Sequence, residues 1–332
     1  MSQESTGTAP FRILVPYDGS PQAKRALDYA ATLPASELIL LHVQTEGLMG
    51  IADSAPGGFS VLPASAPGGY RLLPSTPEQG DAETIALRSE LESIVAPLRT
   101  AERSVGAEVR YGDVAEEIIN AASTRDLVVM STHGRSAAGR ILFGSIADRV
   151  SRYSPTPTVL IRKEEEGEEL SAPGRIVVPL DGSEIAERAL PLAISLADAL
   201  SVPLHLVRAV GLDEVRATIH AKRSSEVAST SADTDADATY EDARQETERL
   251  ATEYLEGLAG DIEAQGIDVQ TGVLDGTAAF VLIWELEADD LLVMTSHGRS
   301  GFRRWLLGSV AEKLVREAKA PVLLVPTRNA SS

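Results

Sequence analysis

One stretch occurs twice in this chain: MSTHGRSAAGRILFGS at residues 130–145 and MTSHGRSGFRRWLLGS at residues 294–309. Each copy continues a short apolar run, 127–130 or 291–294, that has the character of a buried strand. Each ends on Gly-Ser and enters a helical pattern, and nine residues separate the two glycines in both copies. A strand, a glycine-bearing loop and a helix N-terminus in that order form the arrangement that binds phosphate in α/β proteins. Free N–H groups and the positive end of the helix dipole meet an anion there. A repeat of this kind obliges both halves to fold alike and predicts two candidate anion sites.

The repeat extends over most of the chain. FRILVPYDGS at 11–20 matches GRIVVPLDGS at 174–183. Helical spacing of Ala and Leu follows at 23–33 and 184–199, then a second apolar run at 38–43 (LILLHV) and 204–210 (LHLVRAV). Long helical stretches are expected at 82–104 and 238–264, and third strands at 108–111 and 269–274. After another helix come the repeated loop, a last helix, and a fifth strand at 158–161 or 322–325. The order β-α-β-α-β-α-β-α-β, twice, predicts parallel, doubly wound sheets in two domains, 11–162 and 175–327. A charged linker with Pro and Gly, 163–174, separates them. Two segments break the symmetry: 47–80, rich in Gly, Pro, Ser and Ala, and the polar 212–237. Both follow the second strand and read either as a lid or docking loop or as a tolerated surface insertion.

Composition narrows the chemistry. The net charge of −19 argues against nucleic acid or an anionic membrane as the main partner, because both demand a basic face. No cysteine is present, which excludes disulfides, thiol catalysis and Cys-bound zinc. No apolar run approaches the ~20 residues that span a bilayer, and the polar first ten residues lack a signal-peptide core. A cytoplasmic location is expected.

Ser145 and Ser309 stand where an N-cap belongs, and Ser309-x-x-Glu312 has the form of a capping box. Capping does not exclude phosphate binding at the same helix start, and Gly144 and Gly308 would let an anion approach closely. His133 and His297 lie in the loop with no nucleophile pattern around them, so a structural hydrogen bond is the better assignment than catalysis. Arg135 and Arg140, with Arg299, Arg303 and Arg304, are either phosphate partners or solvated, ion-paired side chains. Asp18 and Asp181, in Asp-Gly-Ser after the first strands, form an Asx-type turn or face a ribose or metal.

Together, V-P-x-D-G-S, the L-H-V of the second strand, T/S-H-G-R and P-x-x-L-x-V resemble the universal stress protein family, as two tandem domains. The resemblance implies Rossmann-like, adenine nucleotide α-hydrolase-like domains with five parallel strands each, flanked by helices. It also implies dimerisation, here between the two halves, and a stress-response role. Its nucleotide-binding members carry Gly-x2-Gly-x9-Gly-Ser/Thr. Carried over, the nucleotide-binding residues are Pro16, Asp18, Val43, Met130, Ser131, Gly134, Arg135, Gly144 and Ser145. In the second half they are Pro179, Asp181, Ala209, Met294, Thr295, Gly298, Arg299, Gly308 and Ser309. The aspartates would face ribose, the backbone at Val43 and Ala209 adenine, and the glycines and serines the phosphates. This chain departs at the first glycine, where it has Ser131 and Thr295; a hydroxyl there either donates to a phosphate or crowds it.

The implied ligand is ATP, with or without Mg, in one or both halves, and no catalytic or resident metal residue is assigned. Activity is expected to be regulatory, with at most slow hydrolysis. A nucleotide-free interaction module of the same fold is the alternative. An ATP-using enzyme is disfavoured because the first-strand loop lacks Ser-Gly-Gly. The apolar fifth strands, edges in such a fold, are expected to pair as an intramolecular pseudo-dimer. Further association of two chains into a homodimer stays open.

Overall fold

The structure, a computed structural model, describes residues 11–45, 82–133, 143–162, 170–225, 236–296 and 307–327. The 47–80 segment and most of the linker lie outside the described residues. The first half runs β1 (Phe11–Pro16), α1 (Pro21–Thr32), β2 (Ala35–Gln44), α2 (Ala82–Val95), β3 (Ser104–Tyr111), α3 (Val114–Ala122), β4 (Leu127–Ser131), α4 (Ser145–Tyr153) and β5 (Thr158–Ile161). The second runs β6 (Arg175–Pro179), α5 (Glu184–Glu187), α6 (Leu190–Leu200), β7 (Leu204–Val210), α7 (Leu212–Ser225), α8 (Ala236–Glu263), β8 (Val269–Asp275), α9 (Ala278–Glu285), β9 (Asp290–Thr295), α10 (Ser309–Glu317) and β10 (Val322–Val325).

These strands form one ten-stranded sheet in the order β3-β2-β1-β4-β5-β10-β9-β6-β7-β8. Within each half the pairing is parallel, and β5 meets β10 antiparallel through Leu160↔Val322, Val159↔Leu323 and Thr158↔Leu324. The expected pairing of the fifth strands is therefore present within the chain, and neither apolar strand is left as an edge.

The inner strands bury both faces, which is why sequences such as LVVM in β4 and DLLVM in β9 are continuous apolar runs, while the edge strands β3 and β8 are more polar and partly exposed. Ile13, Val15, Leu38, Leu40, Val129 and Val293 point to one helical layer, built from α1, α2, α6 and α8. Their neighbours Leu14, Ile39, Leu41, Val128 and Leu292 point to the other, built from α3, α4, α9 and α10.

Four local expectations are corrected. Strands β2 and β3 begin earlier than their apolar runs, at Ala35 and Ser104, because polar residues such as Ser36 and Glu37 occupy the outer end of a strand without loss. The stretch 82–104 is not one helix: α2 ends at Val95, and a single 3-10 turn at Ala96–Leu98 carries Pro97. The single helix expected at 184–199 is two, α5 and α6, with Pro191 in the first turn of α6, where its missing N–H costs nothing. The polar segment after β7 is largely α7, which lays Val215 and Ile219 against Ala243, Ala251 and Tyr240 of α8.

Candidate functional site

The strand order reverses between β1 and β4, and between β6 and β9, and crevices at such switch points lie beyond the carboxyl ends of the strands. The register of β1 with β2 and β4 carries Asp18 to the level of Val43 and Thr132. The register of β6 with β7 and β9 does the same for Asp181, Ala209 and Ser296. Pro16, Met130 and Ser131, and Pro179, Met294 and Thr295, are the last residues of the strands bordering these crevices. Gly134, Arg135, Gly298 and Arg299 lie outside the described residues, as do His297, Arg140, Arg303 and Arg304.

Asp-Gly-Ser builds the same turn twice. Asp18 Oδ1 accepts from Ser20 N at 2.9 Å, and Ser20 Oγ accepts from Ala23 N at 3.1 Å, capping α1. Asp181 Oδ1 accepts from Ser183 N at 3.0 Å and from the Ser183 hydroxyl at 2.6 Å, and Ser183 Oγ accepts from Ala186 N at 3.2 Å. Gly19 and Gly182 both take φ of 78°, a left-handed turn that a side chain would strain.

The loop after β4 closes back on the strand. Gly144 N donates to Thr132 O at 2.8 Å, and Gly308 N donates to Ser296 O at 2.9 Å. A Cβ on Gly144 would stand 2.7 Å from Thr132 O, so only glycine permits this closure. Here a further expectation is corrected. The N-caps of α4 and α10 are Gly144 and Gly308, and Ser145 and Ser309 are the first helical residues, exposed at the crevice. The glycine must be extended to close the loop and so takes the cap position. The serine hydroxyls are not at the cap position, and among the described residues no N-cap side chain accepts from the first-turn N–H groups.

Ser131 and Thr295 are placed differently. The Ser131 hydroxyl donates to His133 O at 2.6 Å, while Thr295 is buried. His133 Nδ1 lies 2.9 Å from the Thr132 hydroxyl, in accord with a structural role. His42, beside Val43, has Nδ1 2.9 Å from Tyr17 O. In the second half the matching residue is Arg208, whose guanidinium lies 5.2 Å from the Tyr254 ring centre. The Tyr254 hydroxyl donates to Glu187 at 2.8 Å; burial, then this carboxylate, push its pKa well above the ordinary phenol range. Tyr254 also feels the charge of Asp181, so a polar network flanks the second crevice. Sequence reasoning missed it, although a charged residue inside LHLVRAV was a visible signal. Val315 and Arg316 of α10 share a small cavity with Thr132, His133 and Phe143 of the other half.

The model of the universal stress protein family matches residues 11–162 and 173–326. The chain belongs to that family. Among related universal stress proteins, one from Mycolicibacterium smegmatis is 27% identical over 225 residues, 68% of this chain and 70% of the relative. One from Mycobacterium tuberculosis is 24% identical over 221 residues, 67% of this chain and 68% of the relative. A solved universal stress protein from Archaeoglobus fulgidus superposes with a TM-score of 0.60 at 20% identity, covering 96% of this chain and 98% of that one. That likeness shows the fold. Among the described residues, no helix is long and apolar enough to cross a membrane, and no cluster of His, Asp and Glu could hold a metal ion.

Proposed function

We propose that this universal stress protein binds adenine nucleotide, with ATP as the ligand, at the crevice of one or both halves, and acts in regulation rather than metabolism. The loop closure carries this reading: Gly144 N on Thr132 O, and Gly308 N on Ser296 O, each bring a helix N-terminus back to the end of the strand beside Asp18 or Asp181. The cradle suits a phosphate because the closure that only Gly144 permits sets the start of α4 at the strand end, where the first-turn N–H groups would meet an anion. In this reading Asp18 and Asp181 hold ribose hydroxyls, and Val43 and Ala209 offer backbone to adenine. Gly134, Arg135, Gly144 and Ser145, with Gly298, Arg299, Gly308 and Ser309, hold the phosphates. Pro16, Pro179, Met130 and Met294 wall the crevice, and any Mg enters with the nucleotide.

Isothermal titration of ATP tests this. The expected result is saturable heat that loses one site in Gly134→Val or Gly298→Val and all sites in the double variant. No heat from the wild type would overturn the reading.

A nucleotide-free interaction module is the second reading. It is favoured by Ser131 and Thr295, which put a side chain where nucleotide-binding relatives have a glycine, with the Ser131 hydroxyl already given to His133 O. Adenine nucleotide released on acid denaturation of the purified protein would count against it.

A further inference from the structure

Helix α9 buries Ala279 and Leu282 and turns Phe280 and Trp284 outward, 55% and 85% exposed. The two rings stand one turn apart on one face. Lys313 of α10 already lies over Phe280, its Nζ 3.3 Å from the ring centre, so this face holds one ammonium group within the molecule. Trp284 carries no such partner among the described residues. It borders a cavity of about 370 Å³ whose other walls are Gly174, Arg175, Glu285, Glu287, Asp289 and Asp290. Arg175 is bound at two points by Asp290, both at 2.8 Å. Four carboxylates against one guanidinium leave the lining three negative charges in excess.

The first half shows that the fold does not need this face. Counting from the equivalent pairs Arg12–Asp126 and Arg175–Asp290, the places of Phe280, Trp284, Glu285, Glu287 and Asp289 are taken there by Glu116, Asn120, Ala121, Ser123 and Arg125. The ion pair is kept in both halves; the aromatic pair and the extra carboxylates are particular to the second.

We propose that this face of α9 and the adjoining cavity dock a basic segment of another polypeptide, with a Lys or Arg head group held between the Trp284 indole and the carboxylates of Glu287 and Asp289. Charge complementarity selects the occupant. The acidic lining repels an acidic segment, and a second copy of this chain would bring its own net charge of −19. A free polyamine carries no apolar side groups to cover the two rings.

Trp284 and Trp305 are the chain's two tryptophans, so Trp305→Phe makes Trp284 the sole reporter. The probe is a short acetylated, amidated peptide of Arg-Leu-Lys-Ala repeats, compared with its counterpart bearing Glu at every basic position. The expected result is a saturable change in Trp284 emission with the basic peptide and none with the acidic one. By calorimetry, Trp284→Ala and the pair Glu287→Lys/Asp289→Lys should each weaken binding by ~10-fold or more. The pair Glu90→Lys/Glu102→Lys, on exposed residues of the first half, makes the same charge change and should shift binding by less than about twofold. Equal weakening by that control, undiminished binding to Trp284→Ala, or spermidine binding as tightly as the peptide would overturn the proposal. Sedimentation in which Trp284→Ala dissociates a homodimer would also overturn it, by giving the face to self-association.

Discussion

His205 shows how one residue departs from the repeat. It occupies the place of Ile39, at the polar margin of a sheet face whose centre is apolar, and is only 8% exposed. The Arg175 guanidinium donates to its Nδ1 at 3.0 Å, with Glu285 3.7 Å away and Asp290 beyond the guanidinium. Burial, then the Arg175 charge, lower its pKa. The folded ring therefore stays neutral at a pH where the unfolded ring, with a pKa near 6.5, takes up a proton. The unfolded state binds more protons, so stability falls as pH drops below 6.5, until the folded ring also titrates. Denaturant unfolding at pH 7.5, 6.5 and 5.5 should show wild type losing stability faster than His205→Gln, which keeps an acceptor for Arg175 but does not titrate. Equal slopes would show that His205 contributes nothing to the pH dependence. The signal for this site was present in the sequence as a histidine within an apolar strand, but only the sheet register shows that Arg175 and Glu285 converge on it.

The helix starts distinguish two uses of serine that look identical in sequence. Ser20 and Ser183 accept from the third residue on and are true caps. Ser145 and Ser309, though each follows a glycine as those do, are first helical residues. Ser20→Ala and Ser183→Ala should each cost about 1 kcal/mol of unfolding free energy. Ser145→Ala and Ser309→Ala should stay within about 0.5 kcal/mol of wild type. A cost for Ser145→Ala equal to that for Ser20→Ala would contradict the cap assignment. Local pattern could not separate these cases, because the difference arises when Gly144 folds back onto Thr132, a contact with the preceding strand. What local pattern did carry was the element order: the five strands expected per half are present as β1–β5 and β6–β10, with all but the edge strands β3 and β8 apolar and largely buried. It failed where context decides. Helix α7 is polar in sequence and is held by the apolar stripe of α8, and the run AAFVLIW that begins α9, apolar throughout, conceals an outer face bearing Phe280 and Trp284.

At the scale of the whole molecule, the β5–β10 ladder makes one sheet of two halves. The pairing was legible in advance because each fifth strand is apolar on both faces and ends its half. Cutting the chain in the linker would expose Val159, Leu160 and Ile161 on an open edge. The separate first half, residues 1–168, should therefore elute as a homodimer in light-scattering chromatography, and Val159→Lys in that fragment should shift it toward monomer. A folded, monomeric fragment would show that the edge is tolerated alone. The antiparallel sense of the same ladder has a directional result. Every strand of one half runs opposite to every strand of the other, so the two crevices open toward opposite poles of the molecule. The amino ends of β6 and β9, with Trp284 and its carboxylates, therefore lie at the pole where the first crevice opens. A polypeptide seated on α9 would stand on the same side of the molecule as the contents of the first crevice and on the far side from those of the second, so a symmetric duplication yields a molecule with a distinguishable front and back.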